Sequence, residues 1–237
     1  MSLTLYYHPL SSFCHKVLIA LYEHGVEFEP HTVNLGDAAE RAELAALWPI
    51  TKFPALRDHA RERNVAESTI IIEYLDRHFA GAHPLIPAPT GDENADQALE
   101  VRLWDRILDN YVHLPMQQIV ADKLRGSSGG TSGGTGSDSS GDMSGERSRI
   151  ATAYGMIDRQ LASRTWVAGQ GFSMADCAAT PALFYAHTLV PFPDGMDHLK
   201  AYFERLMERP SVRRVIEEAK PFFAFYPFAD RIPDRFR

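Results

Sequence analysis

Leu5-Tyr6-Tyr7-His8-Pro9-Leu10-Ser11-Ser12-Phe13-Cys14-His15-Lys16-Val17 reads as the end of a strand, a tight turn and the first turn of a helix. Leu3, Leu5 and Tyr7 alternate with Thr4 and Tyr6, the period of a short strand. Pro9 has no N–H to give a ladder and ends it. Ser11 and Ser12 are good N-cap residues, and Phe13, Val17, Leu18 and Leu21 then recur at helical spacing. Gly25 is the natural stop after roughly twelve helical residues. Two hydroxyls and the Cys14 thiol therefore lie at or near a helix N-terminus, where free N–H groups and the dipole favour negative charge such as a thiolate. Taken alone, the stretch favours a serine that only caps the helix and a Cys14 that packs as a small apolar residue.

Working outward, the next candidate strand spans residues 28–33, with Pro30 marking an edge position. Residues 37–47 are rich in Ala, Glu and Leu and read as a short helix. Trp48 to Leu56 brackets a turn with Pro49 and Pro54 and leads into a third strand, and residues 63–66 supply its hairpin partner. Glu67-Ser68 opens an apolar helix ending near Gly81. The order β-α-β-α-β-β-α is a compact α/β layer. Residues 82–91, with three prolines, read as a linker.

Everything from 92 to 237 has a helical pattern. Residues 92–125 carry Leu99, Leu103, Ile107 and Val112 near one expected buried face. Residues 126–145 are nearly all Gly, Ser, Thr and Asp, the composition of a flexible loop, with ends roughly 25 Å apart. Helical spacing resumes at Glu146. Ser173 and Asp176 form a near capping box ahead of a helix over 177–185, and further helices are expected at 196–208 and 211–219. The fold class is thus an α/β domain over residues 1–81, the linker, and an all-α domain over 92–237.

With 45% hydrophobic and 23% charged residues, the 237-residue chain has the balance of a globular protein. Its net charge of −7 argues against nucleic acid or an anionic membrane surface as partner. No run of about 18 apolar residues is present to span a membrane, and the first residues lack the pattern of a signal peptide. The two cysteines, Cys14 and Cys177, are far apart in no metal-like spacing. A disulfide framework and a metal site are not expected, and a reducing cytoplasm is the default location.

Four features in order resemble the cytosolic glutathione transferases. Ser11 to Val17 is similar to the Ser-x-x-x-x-[Arg/Lys]-Val segment of the serine-type classes. Lys52-Phe53-Pro54-Ala55-Leu56 resembles the Lys-Val-Pro-x-Leu segment that holds a cis-proline. Glu67-Ser68 matches the family's Glu-Ser pair, and residues 169–181 resemble its buried-helix motif. The resemblance implies a thioredoxin-like first domain and a helical second one.

It also implies glutathione as co-substrate, bound by Lys52, Phe53, Pro54, Glu67 and Ser68, with Ser68 capping its helix. Ser11, with Ser12 as the alternative, would hold the thiolate, and Leu10, Tyr111, Pro115 and Met116 would line the pocket for a small hydrophobic electrophile. A homodimer is implied as well. Two departures stand out. Trp48-Pro49 replaces the family's Asn-Pro, and Cys14 lies three residues past Ser11, whereas cysteine-type members carry the reactive residue at the serine's place. Competing expectations are a glutathione-dependent disulfide or peroxide reductase and a non-catalytic transferase-like interaction protein. A dithiol oxidoreductase is disfavoured by the lack of CxxC.

Overall fold

A computed structural model describes residues 2–79, 81, 83–88, 90–128 and 142–237. Strand β1 (Leu3–Tyr7) lies inside a four-stranded sheet ordered β2-β1-β3-β4. It runs parallel to β2 (Glu29–Thr32) and antiparallel to β3 (Ala55–Asp58), which forms a hairpin with β4 (Arg63–Ala66). Pro30 sits on the β2 edge, where its missing donor interrupts no second ladder.

Helix α1 (Ser12–His24) is buried almost all round, because it lies between the sheet and the helical domain. Ser11 is its N-cap, its side chain accepting from Cys14 N–H at 3.3 Å, and Gly25 closes it at φ +64°, a conformation that costs only glycine nothing. Helix α2 (Ala38–Leu47) starts at the Asp37 cap and α3 (Ser68–Phe79) covers the hairpin. The chain then passes to the helical part through a segment held by one carboxylate. Asp76 accepts the N–H groups of Leu85 and Ile86 at 3.0 and 2.7 Å and pairs with buried His24 at 2.7 Å.

The helical domain consists of α4 (Asp92–Leu108), α5 (Leu114–Ser128), α6 (Ser144–Leu161), α7 (Met174–Leu189), α8 (Asp197–Glu208) and α9 (Pro210–Ala219). Its centre is α7, buried along nearly its whole length and packed on α1 and α4. The Ser173–Asp176 capping box forms, and fully buried Asp176 also accepts from Tyr202 Oη at 2.5 Å and Val167 N–H at 3.1 Å. Such satisfaction is what a carboxylate needs in an apolar interior.

Two expectations are corrected. The helix over 92–125 is broken by a π turn, Asp109–His113, in which Leu114 N–H bonds to Asp109 O, five residues back. Leu99 and Leu103 are 63% and 53% exposed, while the buried face of α4 carries Ala98, Val101, Trp104, Asp105 and Leu108. That face must fit a charge inside the protein, so a carboxylate and a small residue stand where leucines were expected. Of the 126–145 loop, α5 runs to Ser128 and α6 begins at Ser144, and the stretch 129–141 lies outside the described residues.

Candidate functional site

A cleft of about 710 Å³ opens at the N-termini of α1 and α3, against α4, the π turn and α5. Six of the sequence-predicted residues line it: Ser11, Lys52, Phe53, Pro54, Glu67 and Ser68. They come from two helix starts and one loop, all at the same end of the sheet.

Ser11 uses an oxygen lone pair to cap α1, so its hydroxyl proton remains available to a ligand. Ser12 is buried, does not line the cleft, and accepts from Gln117 Nε2 at 3.4 Å. Cys14 is fully buried, and its thiol is pushed up to about 12 by burial, despite the Ser11 and His8 hydrogen bonds that pull the other way. A thiol so placed stays protonated and inert near neutral pH.

The Phe53–Pro54 bond is cis. Phe53 stacks on the His8 ring at 5.8 Å, which ties the Pro54 loop to the loop that carries Ser11. Lys52 is exposed and has no ion-pair partner among the described residues. Glu67 has φ +68°, a left-handed conformation rare for a residue with a side chain and often found at ligand clamps. Its carbonyl accepts the first bond of α3 from Ile71 N–H at 2.8 Å, so Glu67 is the cap residue and Ser68 is the first helical one. This corrects the expected role of Ser68. Its hydroxyl is not spent on capping, and α3 begins at the cleft, its first amides without intrahelical acceptors.

The other wall differs from expectation. Leu10, Tyr111, Pro115 and Met116 do not line the cleft; Asn110, Leu114 and Gln117 do. Tyr111 is 52% exposed, and Met116 is 3% exposed in the core. The π turn adds a residue to one turn, and since each helical residue advances about 100°, the positions after it rotate to a different face.

The cleft floor includes part of a charge cluster that sequence reasoning missed. Lys16 is fully buried, with Nζ 2.6 Å from Asp105 and 2.9 Å from Asp109, and it also donates to Thr69 Oγ1 at 2.9 Å. Arg106 contacts the same two carboxylates and Thr69 from the cleft side. His113 Nδ1 meets Asp109 at 3.1 Å while its ring packs on Phe13 at 4.6 Å. Burial alone would raise the Asp109 carboxyl, but the His113 bond and the Lys16 charge outweigh it and hold it well below the usual carboxylate range. The cluster joins α1, α3 and α4. One clue was present in sequence: a lysine within an otherwise apolar helix needs a buried carboxylate partner.

These features define a two-domain protein, thioredoxin-like and then helical, with a cleft at the domain junction. The glutathione S-transferase N-terminal domain model matches residues 5–83 and the C-terminal domain model matches 144–210, together more than half of the chain. The protein belongs to the glutathione S-transferase family. It is 26% identical to glutathione S-transferase 3 of Zea mays over 226 residues, covering 90% of this chain and 93% of that one. It is also 28% identical to a stringent starvation protein A homolog of Haemophilus influenzae over 221 residues, 92% of each. In fold it is similar to a glutathione S-transferase of Methylobacillus flagellatus solved with glutathione bound, with a TM-score of 0.72 at 21% identity, covering 90% of this chain and 98% of that chain. Among the described residues no helix is long and apolar enough to cross a membrane.

Proposed function

We propose that the protein is a glutathione transferase that binds reduced glutathione in the cleft and activates its thiolate for attack on an electrophile. The observation that carries this reading is the convergence of Ser11, Lys52, Phe53, Glu67 and Ser68 on one cleft. The donor set suits the tripeptide. Glu67 accepts from the γ-glutamyl ammonium, while Ser68 and the α3 amides receive its carboxylate. The Phe53 backbone pairs with the cysteinyl unit, and Lys52 meets the glycyl carboxylate as a point charge.

Ser11 then donates to the thiolate. A charge-assisted hydrogen bond contributes about 1.5–3 kcal/mol. At 1.36 kcal/mol per unit, that lowers a thiol pKa from about 8.5 by one to two units, enough to make thiolate a major species at neutral pH. The thiol proton leaves to solvent, and the sulfur attacks the second substrate.

The interaction-protein reading has one observation in its favour: the Haemophilus influenzae relative, which carries no transferase name, matches nearly the full chain. Calorimetry with reduced glutathione separates the two, since micromolar to millimolar binding is expected only of the transferase. The ultraviolet band of bound thiolate, followed against pH, is expected to shift upward by one to two units in Ser11→Ala, with kcat/KM lower by about ten- to hundredfold. A shift confined to Ser12→Ala or Cys14→Ala overturns the Ser11 assignment. Exposed Leu99 and Leu103 on α4 support a homodimer, which the mass in solution tests.

A further inference from the structure

Three hydrogen bonds hold the turn that carries Ser11 from β1 into α1. Ser11 N–H donates to His8 O at 2.9 Å, and buried His15 Nε2–H donates to Pro9 O at 2.6 Å. The third runs from Leu10 N–H to His8 Nδ1 at 3.2 Å. The half-buried His8 ring is also gripped from two sides. It stacks on Phe53 of the Pro54 loop at 5.8 Å and meets Phe222 edge-on at 6.3 Å. Phe222 belongs to the 3₁₀ turn Lys220–Phe225 that follows α9. One side chain therefore joins three segments, distant in sequence, beside the residue that would meet the thiolate.

A side-chain acceptor for the N–H two residues on is the pattern of an Asx turn, which asparagine would supply without titrating. Histidine differs because its acceptor is lost when the ring is charged. The Leu10 bond needs a bare Nδ1, so the neutral ring carries its proton on Nε2. In the imidazolium Nδ1 bears hydrogen and confronts Leu10 N–H donor to donor. Nothing packed on the ring favours the charge: Phe53 and Phe222 are neutral, and the His15 imidazole on α1, if charged, would repel it. Along those two aromatic segments the adjoining charged residues are Lys52 and Lys220, the latter paired with Glu217. His8 makes no ion pair among the described residues, and burial lowers its pKa from 6.5.

Resting on the transferase reading, we infer that His8 is a positioning residue for Ser11. Its neutral ring holds the turn at which the Ser11 hydroxyl meets the glutathione thiolate, and a proton on Nδ1 releases that turn. The effect reaches the thiolate and spares the γ-glutamyl end, because Glu67 and Ser68 stand at the start of α3, outside the turn. A hydrogen bond to a charged group weakens steeply when its donor is misaimed. Activity therefore falls toward acid in two steps, one for the thiol and a second, at lower pH, for His8.

The test follows the ultraviolet band of bound thiolate, and kcat/KM with 1-chloro-2,4-dinitrobenzene, from pH 8 down to about 5, above the His15 value of about 4. In the native protein log kcat/KM is expected to fall with slope one below the thiol pKa and to steepen to slope two at lower pH. His8→Phe keeps a ring for Phe53 and Phe222 but offers no acceptor. It is expected to raise the pKa of the bound thiol by about one, to lower kcat/KM about tenfold near neutral pH and to keep slope one. Glutathione affinity by calorimetry should stay within about twofold. His8→Asn returns an acceptor that does not titrate, so the native thiol pKa is expected with slope one throughout. A native limb of slope one, an unshifted band in His8→Phe, or an equal shift in His8→Asn overturns the inference. Should neither variant fold, the native limb decides. Glutathione bound as thiolate but indifferent to His8 removes this inference alone, whereas no affinity in the native protein removes the transferase reading and this one with it.

Discussion

The sheet-domain wall and the helical-domain wall of the cleft meet at Lys16, but they position their side chains in different ways. Ser11, the Phe53–Pro54 loop and Glu67-Ser68 are fixed by short-range devices: a helix cap, a loop between two prolines, a left-handed residue at a helix start. The first two are encoded within a few residues. The helical-domain wall depends on which face of a long helix turns inward. That face is decided by a buried ion cluster and a π turn, neither of which follows from hydrophobic period. Local chemistry transfers from sequence to structure, whereas helical phase does so only when apolar burial sets it.

The largest expected effect is at the joint between the walls. Lys16→Met leaves two mostly buried carboxylates with Arg106, Thr69 and His113 as their remaining partners, and removing one member of a buried pair costs about 3–5 kcal/mol. Urea unfolding measures it. A loss below about 1 kcal/mol would mean that the walls are not coupled through this cluster, breaking the comparison at its centre.

Next comes acid. His15 is fully buried, its Nε2–H donating to Pro9 O at 2.6 Å beside the Ser11 turn, and burial lowers its pKa from 6.5 to about 4. Between those values the unfolded chain binds the proton and the folded one does not. Stability is therefore expected to be complete above pH 6.5 and to decline by up to about 3 kcal/mol as pH falls to 4. Asp109, whose folded carboxyl is depressed, gives way only below the ordinary carboxylate range near pH 4. Chemical denaturation at a series of pH values should show the two windows, and His15→Gln should flatten the upper one. A flat profile from 6.5 to 4 in the native protein would refute the assignment.

Ser68→Ala probes the sheet-domain wall by itself. Glutathione affinity measured by calorimetry is expected to weaken by about 1–3 kcal/mol, the range for a lost hydrogen bond to a charged group. Unchanged affinity takes Ser68 out of the site.

The smallest effect sharpens the phase argument. Tyr111→Ala, at a position half exposed and away from the cleft, is expected to leave kcat/KM within about twofold and stability within about 0.5 kcal/mol. A tenfold loss of activity would restore the uninterrupted-helix register, in which Tyr111 rather than Asn110 and Leu114 faces the substrate.

Sequence by itself determined the element order of the sheet domain, a serine cap for α1 at Ser11 or Ser12, the stop at Gly25 and the capping box that opens α7. All of these rest on backbone hydrogen-bonding needs satisfied within four or five residues. It also isolated the segments that converge on the cleft. Cys14 shares the inward side of α1 with Val17 and Leu18, as the helical spacing placed it, and tertiary structure completed its burial while leaving Ser11 open to the cleft, since exposure is a property of what packs on a helix and not of the helix. Tertiary structure decided too that Glu67, rather than Ser68, caps α3. It turned Leu99 and Leu103 outward and drew Asp105 and Asp109 in, because Lys16, lying inside α1 between the two domains, requires negative charge within about 3 Å wherever α4 can supply it.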